Sequence, residues 1–347
     1  MKKVGIITMF TDYENFGNRL QSYGVQEVLK KHGLDPYTFI YVPKGGEIVG
    51  PNRNQDRLDC FKHFNDRFQY YKENLYADKM PSEDFAKDLD YLVIGSDQMW
   101  NFNFERYFSP RVFADFSNTH RKITFSVSIG LNHAPEKGTE DYKIFEENLP
   151  KMDFISVRED SAKDIIKEIS GRSDVTVLLD PTMLLKREEW EAVMAKPKNL
   201  TAERYIVKAF LGQCSVQKQQ ELERVAREKN CEIIDIMNED SPFFGIGPEE
   251  MIYLEKNAEL VVTDSFHSSV FAIMFHTPFV IFERDDLRLK SMYSRIETLL
   301  RTFNMPERVF KDRIDDSFFA RNFDNVDGIL EAKRKQADEF LDKAFAE

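Results

Sequence analysis

The residues Val261–Phe282, VVTDSFHSSVFAIMFHTPFVIF, decide the fold of this chain. Leu260–Thr263 form a short apolar run, which is typical of a buried parallel strand. From Phe266 onward apolar residues recur at helical spacing up to a proline, and Phe279–Phe282 then predict another strand. The stretch therefore predicts a strand, a turn, a helix and a second strand.

A histidine stands at the mouth of the predicted helix. Ser265 can cap this helix, and His267 follows within its first turn. Open α/β sheets bind ligands at the carboxyl ends of their strands, where helix N-termini favour anions. His267 could therefore meet a phosphate or carboxylate while titrating near neutrality. The alternative is a histidine that only caps or packs at a helix start.

The same alternation of strand and helix runs along the rest of the chain. It implies parallel sheets with helices on both faces. Because Asp180-Pro181 interrupts the pattern, we predict two domains, residues 1–185 and 186–347, with the active site in a cleft between them. A final amphipathic helix near residues 327–345 could pack back on the first domain. The remaining predicted strands are Val4–Met9, Tyr37–Val42, Tyr91–Ile94, Lys122–Ser128, Asp153–Val157, Val175–Leu179, Tyr205–Phe210 and Cys231–Ile236.

Composition and charge narrow the class of protein. The chain has 347 residues, 42% of them hydrophobic, and a net charge of −12. This charge argues against nucleic acid or an anionic membrane as the main partner, although a local arginine pocket could still hold a small anion. Three cysteines without metal-ligand spacing fit a reducing compartment, and no segment is long and apolar enough to span a membrane. We therefore expect a cytoplasmic protein without a metal site.

Polar side chains follow two strands of the predicted first domain. Asn15, Asn18 and Gln21 lie in the loop and first helical turns after the first strand. Asp97 and Asn101 follow Tyr91–Ile94 in the same manner. Amides and carboxylates at this edge suit hydroxyl-rich or phosphorylated ligands. Ordinary helix caps and an Asx turn anchored by a tryptophan are the alternative interpretation.

Basic residues occur at two further strand ends. Arg158 follows Asp153–Val157 and precedes a predicted helix, a placement suited to binding a carboxylate or phosphate. A plain ion pair with Glu159 or Asp160 is the alternative. A second cluster follows Phe282, where a solvated, charge-balanced face is the alternative; it comprises Arg284, Arg288, Lys290 and Arg295.

Six segments together resemble the polysaccharide pyruvyl transferase family. Each motif is weak alone, but six in this order over most of the chain are specific. The segments are NFGNRLQSYGVQEVL (Asn15–Leu29), VIGSDQMWN (Val93–Asn101), SVRED (Ser156–Asp160), VLLDPTMLL (Val177–Leu185), VVTDSFHSSVFAIMF (Val261–Phe275) and SRIETLLRTF (Ser294–Phe303).

The resemblance implies both a fold and an activity. The fold would be two Rossmann-like, doubly wound domains in the GT-B arrangement of glycosyltransferases. The activity would be transfer of the pyruvyl unit of phosphoenolpyruvate to two hydroxyls of a sugar, giving a cyclic ketal in cell-surface polysaccharide biosynthesis. Phosphoenolpyruvate would be the donor substrate, and no cofactor is expected.

The implied chemistry assigns roles to the residues already singled out. His267 would transfer protons, and Arg158 would stabilise the donor's negative charge, with Arg284 as second choice. Residues expected to bind the donor or the acceptor hydroxyls are Asn15, Asn18, Gln21, Asp97, Asn101, Ser265, Arg284 and Arg295.

One position departs from the family pattern. Characterised members carry an arginine two positions before the histidine, in an Arg-Leu-His pattern, where this chain has Ser265 and Phe266. A serine cannot supply the missing charge. We therefore predict that the guanidinium of Arg284 or Arg295 lies near His267; otherwise the donor differs.

Two rival functions remain open at this point. A sugar-nucleotide glycosyltransferase of the GT-B type would share the architecture, and a relative that only binds ligands would explain the missing arginine. The expected partners are a small-molecule donor and a sugar or lipid-linked saccharide acceptor, with at most peripheral membrane contact.

Overall fold

The computed structural model describes residues 1–9, 14–46, 54–284 and 293–346. Its strands and helices alternate along most of this length. Up to Leu184 they are β1 (Lys3–Ile7), α1 (Phe16–Lys31), β2 (Asp35–Thr38), β3 (Tyr41–Val42), α2 (Gln55–Asn65), β4 (Leu75–Tyr76), β5 (Tyr91–Ile94), β6 (Arg121–Val127), α3 (Glu140–Asn148), β7 (Phe154–Val157), α4 (Asp160–Ser170), β8 (Val175–Val177) and α5 (Pro181–Leu184).

The second half of the chain repeats the alternation. Its elements are α6 (Arg187–Glu191), β9 (Tyr205–Ala209), α7 (Val216–Lys229), β10 (Glu232–Asp235), α8 (Pro248–Asn257), β11 (Leu260–Thr263), α9 (Phe266–Phe275), β12 (Phe279–Ile281), α10 (Ser294–Thr302) and α11 (Val326–Phe345).

Two separate parallel sheets form the framework of the described residues. The larger sheet has the strand order β2-β1-β5-β6-β7-β8, and the smaller has the order β10-β9-β11-β12. Strands such as β5 and β11 are buried along their whole length, which explains why they are apolar runs in the sequence. A short parallel pair, β3 and β4, stands apart from both sheets.

The chain forms two compact units, each containing one of the large sheets. The first comprises Met1–Gly50, Arg67–Leu185 and Glu331–Glu347, and the second comprises Pro51–Asp66 and Lys186–Leu330. Two segments therefore differ from the predicted domains 1–185 and 186–347. Helix α2 belongs to the second unit, and the end of α11 belongs to the first.

The contacts of Arg57 explain why α2 belongs to the second unit. Its guanidinium donates to the carbonyl of Phe244 at 2.8 Å and lies 4.7 Å from the centroid of the Phe244 ring. On the same helix, the Cys60 thiol faces Glu250 of α8. These partners lie almost two hundred residues away, so local spacing in the sequence does not reveal them.

The end of α11 packs against the first unit through polar and aromatic contacts. Arg334 donates to the carbonyls of Met183 and Leu185 at 2.9 and 2.7 Å. Phe340 packs edge-on against Phe154, with ring centroids 6.3 Å apart. No helix among the described residues is long and apolar enough to cross a membrane.

A close backbone approach in the first unit gives a stability prediction. A Cβ atom on Gly24 of α1 would lie 2.9 Å from the carbonyl carbon of Pro181 in α5. We expect Gly24→Ala to destabilise the protein by about 1–3 kcal/mol, because backbone atoms must shift to admit the methyl group. Chemical denaturation measures the change.

Gly328 of α11 provides the matched control. A Cβ atom there meets nothing within 4 Å. Gly328→Ala should therefore be neutral or stabilise the protein by up to about 1 kcal/mol, as helix propensity dictates. Equal effects of the two substitutions would contradict the close approach of α1 and α5.

Candidate functional site

In each sheet one strand has neighbours on its two sides that are reached by crossovers in opposite directions. In the larger sheet β1 lies between β2 and β5, and in the smaller sheet β9 lies between β10 and β11. Open parallel sheets bind ligands beyond the carboxyl ends of their strands at such reversal points. Each unit therefore has its own candidate ligand-binding edge.

At the candidate ligand-binding edge of the first unit, the loop after β5 contacts the start of helix α1. Asn18 Nδ2 donates a short hydrogen bond to Asp97 Oδ2, while Asp97 Oδ1 accepts the backbone N–H of Gln98 at 2.9 Å. Asp97 has a φ of 74°, in the left-handed region that few residues other than glycine adopt. A strained backbone held by several bonds is common at functional positions.

Arg158 lies inside this edge between two carboxylates. Its Nη1 binds Asp180 Oδ2 at 2.5 Å and its Nη2 binds Asp97 Oδ1 at 3.3 Å, with only 1% of the side chain exposed. Burial alone would lower the pKa of Arg158, but the carboxylates of Asp180 and Asp97 outweigh burial and raise it. Arg158 is therefore a buried cation that links the ends of three strands through its ion pairs with Asp97 and Asp180.

This arrangement changes the interpretation of Arg158. The predicted alternative of an ion pair is right in kind, and the carboxylates within contact of the guanidinium are those of Asp180 and Asp97. Glu159 Oε1 instead accepts the Ser128 hydroxyl at 3.0 Å and the backbone N–H groups of Ile129 and Gly130. The partners of Arg158 follow strands β5 and β8, because parallel strands bring their carboxyl ends to one edge.

The predicted substrate-binding amides at this edge serve different purposes. Asn15 caps α1 by accepting the N–H of Asn18 at 3.1 Å. Gln21 is fully buried, and its amide donates to Thr8 at 2.9 Å. Asn101 donates to Gln98 at 2.8 Å within its own loop. Gln21 and Asn101 therefore stabilise the edge through these bonds, and their contacts with a ligand stay a prediction.

The edge of the second unit is centred on Asp264, directly after β11. Its carboxylate accepts the backbone N–H groups of Leu211 and Gly212, after β9, at 2.7 and 2.8 Å. Arg284, beyond β12, donates to the same carboxylate at 3.2 Å through Nε. Asp264 thus joins both strands at the reversal point and holds Arg284 beside them.

Two of the predicted cations contact residues at the start of α9, the helix that carries His267. His267 is the second residue of α9 and is 7% exposed. Arg295 of α10 lies over the ring of Phe266, with its guanidinium carbon 5.6 Å from the ring centroid. Arg284 binds Asp264, three positions before His267. Both arginines are therefore held at the mouth of α9, while Arg288 and Lys290 lie outside the described residues.

Ser265 occupies the N-cap position of α9 without capping it. Its side chain accepts no backbone hydrogen bond there, so the predicted cap is right in position and wrong in interaction. The Ser265 carbonyl instead accepts the Ser269 hydroxyl at 2.9 Å. The serine leaves space and no charge at the helix mouth.

A buried carboxyl group that sequence reasoning missed lies behind this helix mouth. Glu255 of α8 is fully buried, and the Ser268 hydroxyl of α9 lies near its carboxyl group without the geometry of an ordinary hydrogen bond. Burial raises the pKa of Glu255 to about 8, and the nearby Ser268 hydroxyl opposes this shift only in part. The signal was present in the sequence, because Glu255 continues the apolar stripe of Met251 and Ile252 at helical spacing.

No group of three or more His, Cys, Asp or Glu side chains in the described ranges is arranged to hold a metal ion. The first edge carries amide and carboxylate groups around the buried Arg158 guanidinium, and the second carries the Asp264 carboxylate, the His267 imidazole and the guanidinium groups of Arg284 and Arg295. Groups of these kinds can bind an anion, and they can also bind hydroxyl groups of the same ligand or of a second one.

Comparison with known protein families decides the assignment. A model described as polysaccharide pyruvyl transferase matches residues 15–286, which is most of the chain. The chain belongs to the polysaccharide pyruvyl transferase family. The matched region includes Asn18, Asp97, Arg158, His267 and Arg284. Among curated proteins, none matches the sequence significantly.

Solved structures similar to this family member establish the fold class. A UDP-N-acetylglucosamine 2-epimerase is similar with a TM-score of 0.53 and 12% identity, over 99% of this chain and 96% of that one. The UDP-GlcNAc 2-epimerase of Neisseria meningitidis gives a TM-score of 0.51 and 10% identity, over 97% and 94%. The predicted class, Rossmann-like doubly wound units of the GT-B type, is confirmed.

The buried ion pair predicts a large effect of one substitution. Arg158→Met should destabilise the protein by about 3–5 kcal/mol, because it leaves the carboxylates of Asp97 and Asp180 without their cation. Lys87→Met is the control, since the Lys87–Asp84 pair is solvent-exposed and its loss should cost about 0–1 kcal/mol. Urea unfolding at neutral pH compares them, and similar midpoints would contradict the structural role of Arg158.

The pKa of Glu255 predicts a pH-dependent stability. The folded protein keeps this carboxyl protonated up to about pH 8, whereas the unfolded chain releases the proton near the ordinary value of 4.5. The stability that depends on the neutral acid is therefore complete below pH 4.5 and is lost as the pH rises through about 8. Glu255→Gln should be more stable than the natural protein by a few kcal/mol at pH 8.5, and by much less at pH 5.

Urea unfolding at both pH values measures this difference. Glu249→Gln on the same helix is the control, because Glu249 lies 3.9 Å from the exposed His63 ring rather than in the apolar layer. An advantage of Glu255→Gln that is equal at both pH values would show that Glu255 is ionised in the folded protein.

Proposed function

We propose that this protein transfers the pyruvyl unit of phosphoenolpyruvate to two hydroxyls of a saccharide, forming a cyclic ketal. The observation that supports the proposal is a pair of arginines at the start of α9, Arg284 bound to Asp264 and Arg295 over the Phe266 ring, in a chain that belongs to this family. We further propose that this ketal formation serves cell-surface polysaccharide biosynthesis.

The charge of the donor requires such an arrangement. Phosphoenolpyruvate carries a phosphate and a carboxylate, and an anion in a partly desolvated site is disfavoured unless cations and N–H donors surround it. Arg284 uses Nε and Nη2 toward Asp264, which leaves further donors among its five N–H groups. Together, Arg284 and Arg295 would supply the positive charge that the family pattern places at the position of Ser265.

Helix α9 adds to the positive electrostatic potential at the proposed donor site. The first N–H groups of α9 point out of its N-terminus, and the macrodipole favours negative charge there. His267 lies within this first turn. An imidazole at this position can hold or release a proton next to the bound donor.

The proposed reaction balances without an oxidant or reductant. A proton adds to the methylene carbon of the enol phosphate, and the neighbouring carbon becomes an oxocarbenium-like electrophile. One sugar hydroxyl forms a C–O bond to that carbon, the C–O bond to phosphate breaks, and the second hydroxyl closes the ring. The two hydroxyl protons balance the methyl hydrogen gained and the proton carried by phosphate. His267 is the proposed proton-transfer group.

The edge of the first unit is the proposed source of acceptor contacts. Asn15 and Asn18 begin α1, and Asp97 carries the carboxylate that Asn18 binds. Amide and carboxylate groups recognise sugar hydroxyls through paired hydrogen bonds. Arg158 would act here by fixing Asp97, rather than by contacting the donor. We propose a sugar or lipid-linked saccharide as the acceptor.

Ligand binding and phosphate release test this proposal together. Phosphoenolpyruvate should raise the melting temperature, because a ligand of the folded state stabilises it. Phosphate should then be released only when a saccharide with a free diol is added. A shift with UDP-GlcNAc and none with phosphoenolpyruvate would favour a sugar-nucleotide enzyme. Binding of phosphoenolpyruvate without turnover on any diol would favour a binding protein.

The two arginines at the α9 mouth give the sharpest mutational test. Arg284→Ala and Arg295→Ala should each weaken phosphoenolpyruvate binding roughly ten- to a hundredfold, because a charge-assisted contact contributes about 1.5–3 kcal/mol. Isothermal titration calorimetry measures the affinity. Arg301→Ala is the control, since Arg301 is an exposed arginine on the same helix as Arg295.

Ser265→Arg completes the series by restoring the arginine of the family pattern. If neither alanine substitution changes the affinity while Ser265→Arg raises it strongly, the natural protein has no substitute cation. A different donor, or a binding function without catalysis, would then be preferred.

A further inference from the structure

Glu255 lies directly behind the helix mouth proposed to bind the donor. Helix α8 packs against α9, and Glu255 faces the Ser268 hydroxyl, one residue beyond His267. Its neighbours Met251, Ile252 and Leu254 on α8 are buried apolar residues. The carboxyl group therefore lies in an apolar layer at the first turn of α9, where the Ser268 hydroxyl is the nearby polar group among the described residues and forms at most a long contact with it.

None of the described charged groups on or around α8 is paired with Glu255. On α8 itself, Glu249 lies near His63, Glu250 accepts the N–H of Gly247 at 2.9 Å, and Lys256 binds Glu191 at 2.6 Å. The remaining titratable or charged groups on the packed helices are Tyr253 of α8, His267 and His276 of α9, and Arg57, Cys60, Asp56, Asp59 and Lys62 of α2. Arg57 donates to the carbonyl of Phe244. Cation pairing therefore does not hold Glu255 in its charged form.

We propose that Glu255 is a positioning residue whose protonated form favours the binding of an anion at the mouth of α9. This inference rests on the proposed function, because it concerns the same donor-binding edge. Neutral Glu255 leaves the positive end of α9, His267 and the two arginines to attract the ligand. Ionised Glu255 places a negative charge behind the same helix turn and weakens that attraction.

The coupling follows from linkage. The N-terminus of α9 would stabilise either a bound anion or an ionised Glu255, and two negative charges at this place disfavour each other. The factor by which ionisation of Glu255 lowers the anion affinity is therefore equal to the factor by which the bound anion opposes that ionisation. Because burial raises the pKa of Glu255 to about 8, its proton is lost in the mildly alkaline range. Anion affinity should fall as the pH rises through that range. The anion should in turn raise the pKa of Glu255 further.

The test compares anion affinity in the natural protein and in Glu255→Gln between pH 7 and pH 9.5. Glutamine has the shape of the protonated acid and stays neutral, while every other group titrates alike in both proteins. The affinity ratio of Glu255→Gln to the natural protein should grow about tenfold across this range, equivalent to a coupling of one pKa unit. The probes are phosphoenolpyruvate and sulfate, since sulfate keeps its charge at these pH values.

Two further variants test whether the effect comes from the charge of Glu255. Glu255→Met also removes the charge and should show the same ratio as Glu255→Gln, whereas Glu249→Gln on the same helix should follow the natural protein at every pH. Circular dichroism at pH 9.5 checks that each variant is folded.

The outcomes separate this inference from the proposed function. A growing ratio for sulfate without any binding of phosphoenolpyruvate supports the role of Glu255 and overturns the proposed donor. A constant ratio with tight phosphoenolpyruvate binding overturns the role of Glu255 and leaves the donor in place. Absence of binding by both anions at every pH overturns both.

Discussion

The guanidinium of Arg158 lies between the carboxylates of Asp97 and Asp180, and the first unit is built around this buried arrangement. Asp97 also accepts the amide of Asn18, so the network reaches α1. Asp180 caps α5 by accepting the N–H of Thr182 at 3.0 Å. One cation thus fixes the ends of three strands and two helix starts. Since removing one partner would leave buried charge without compensation, the geometry of the whole edge depends on it.

The second unit uses the opposite charge for the same purpose. The carboxylate of Asp264 binds the N–H groups of Leu211 and Gly212 and holds Arg284, so an anion organises the loops there. The central group is therefore an arginine in one unit and an aspartate in the other. The consequence is a difference in what each edge offers. The first edge carries amide and carboxylate groups in a buried network, while the second gathers positive charge at α9.

Much of the fold follows from local patterns in the sequence. Fully buried parallel strands such as Leu260–Thr263 are short apolar runs, and α9 shows its helical spacing clearly, so the fold class could be predicted. Strand ends and family motifs also indicate Arg284 and Arg295, which contact Asp264 and Phe266 at the start of α9, while their role beside His267 stays a prediction. These features depend on residues close together in the chain.

Long-range pairing is what the sequence does not reveal. Arg158 precedes two acidic residues, yet its partners are Asp97 and Asp180, 61 and 22 positions away. Helix α2 belongs to the second unit because Arg57 reaches a carbonyl 187 positions later. Glu255 was missed for a different reason. Its burial depends on how α8 packs against α9, and a lone glutamate within an apolar stripe is easily interpreted as a surface residue.

The division of α11 between the two units has a consequence for biosynthesis. Its last residues complete the first unit, where Phe345 packs on Tyr91 and the Arg121 guanidinium binds the Ala344 carbonyl at 3.0 Å. A ribosome synthesises these residues only after the rest of the second unit, Lys186–Leu330. The amino-terminal unit therefore cannot finish folding before the second unit has been synthesised, and its surface around Tyr91 and Phe154 stays uncovered until then. Vectorial synthesis gives this unit no head start over the one encoded after it.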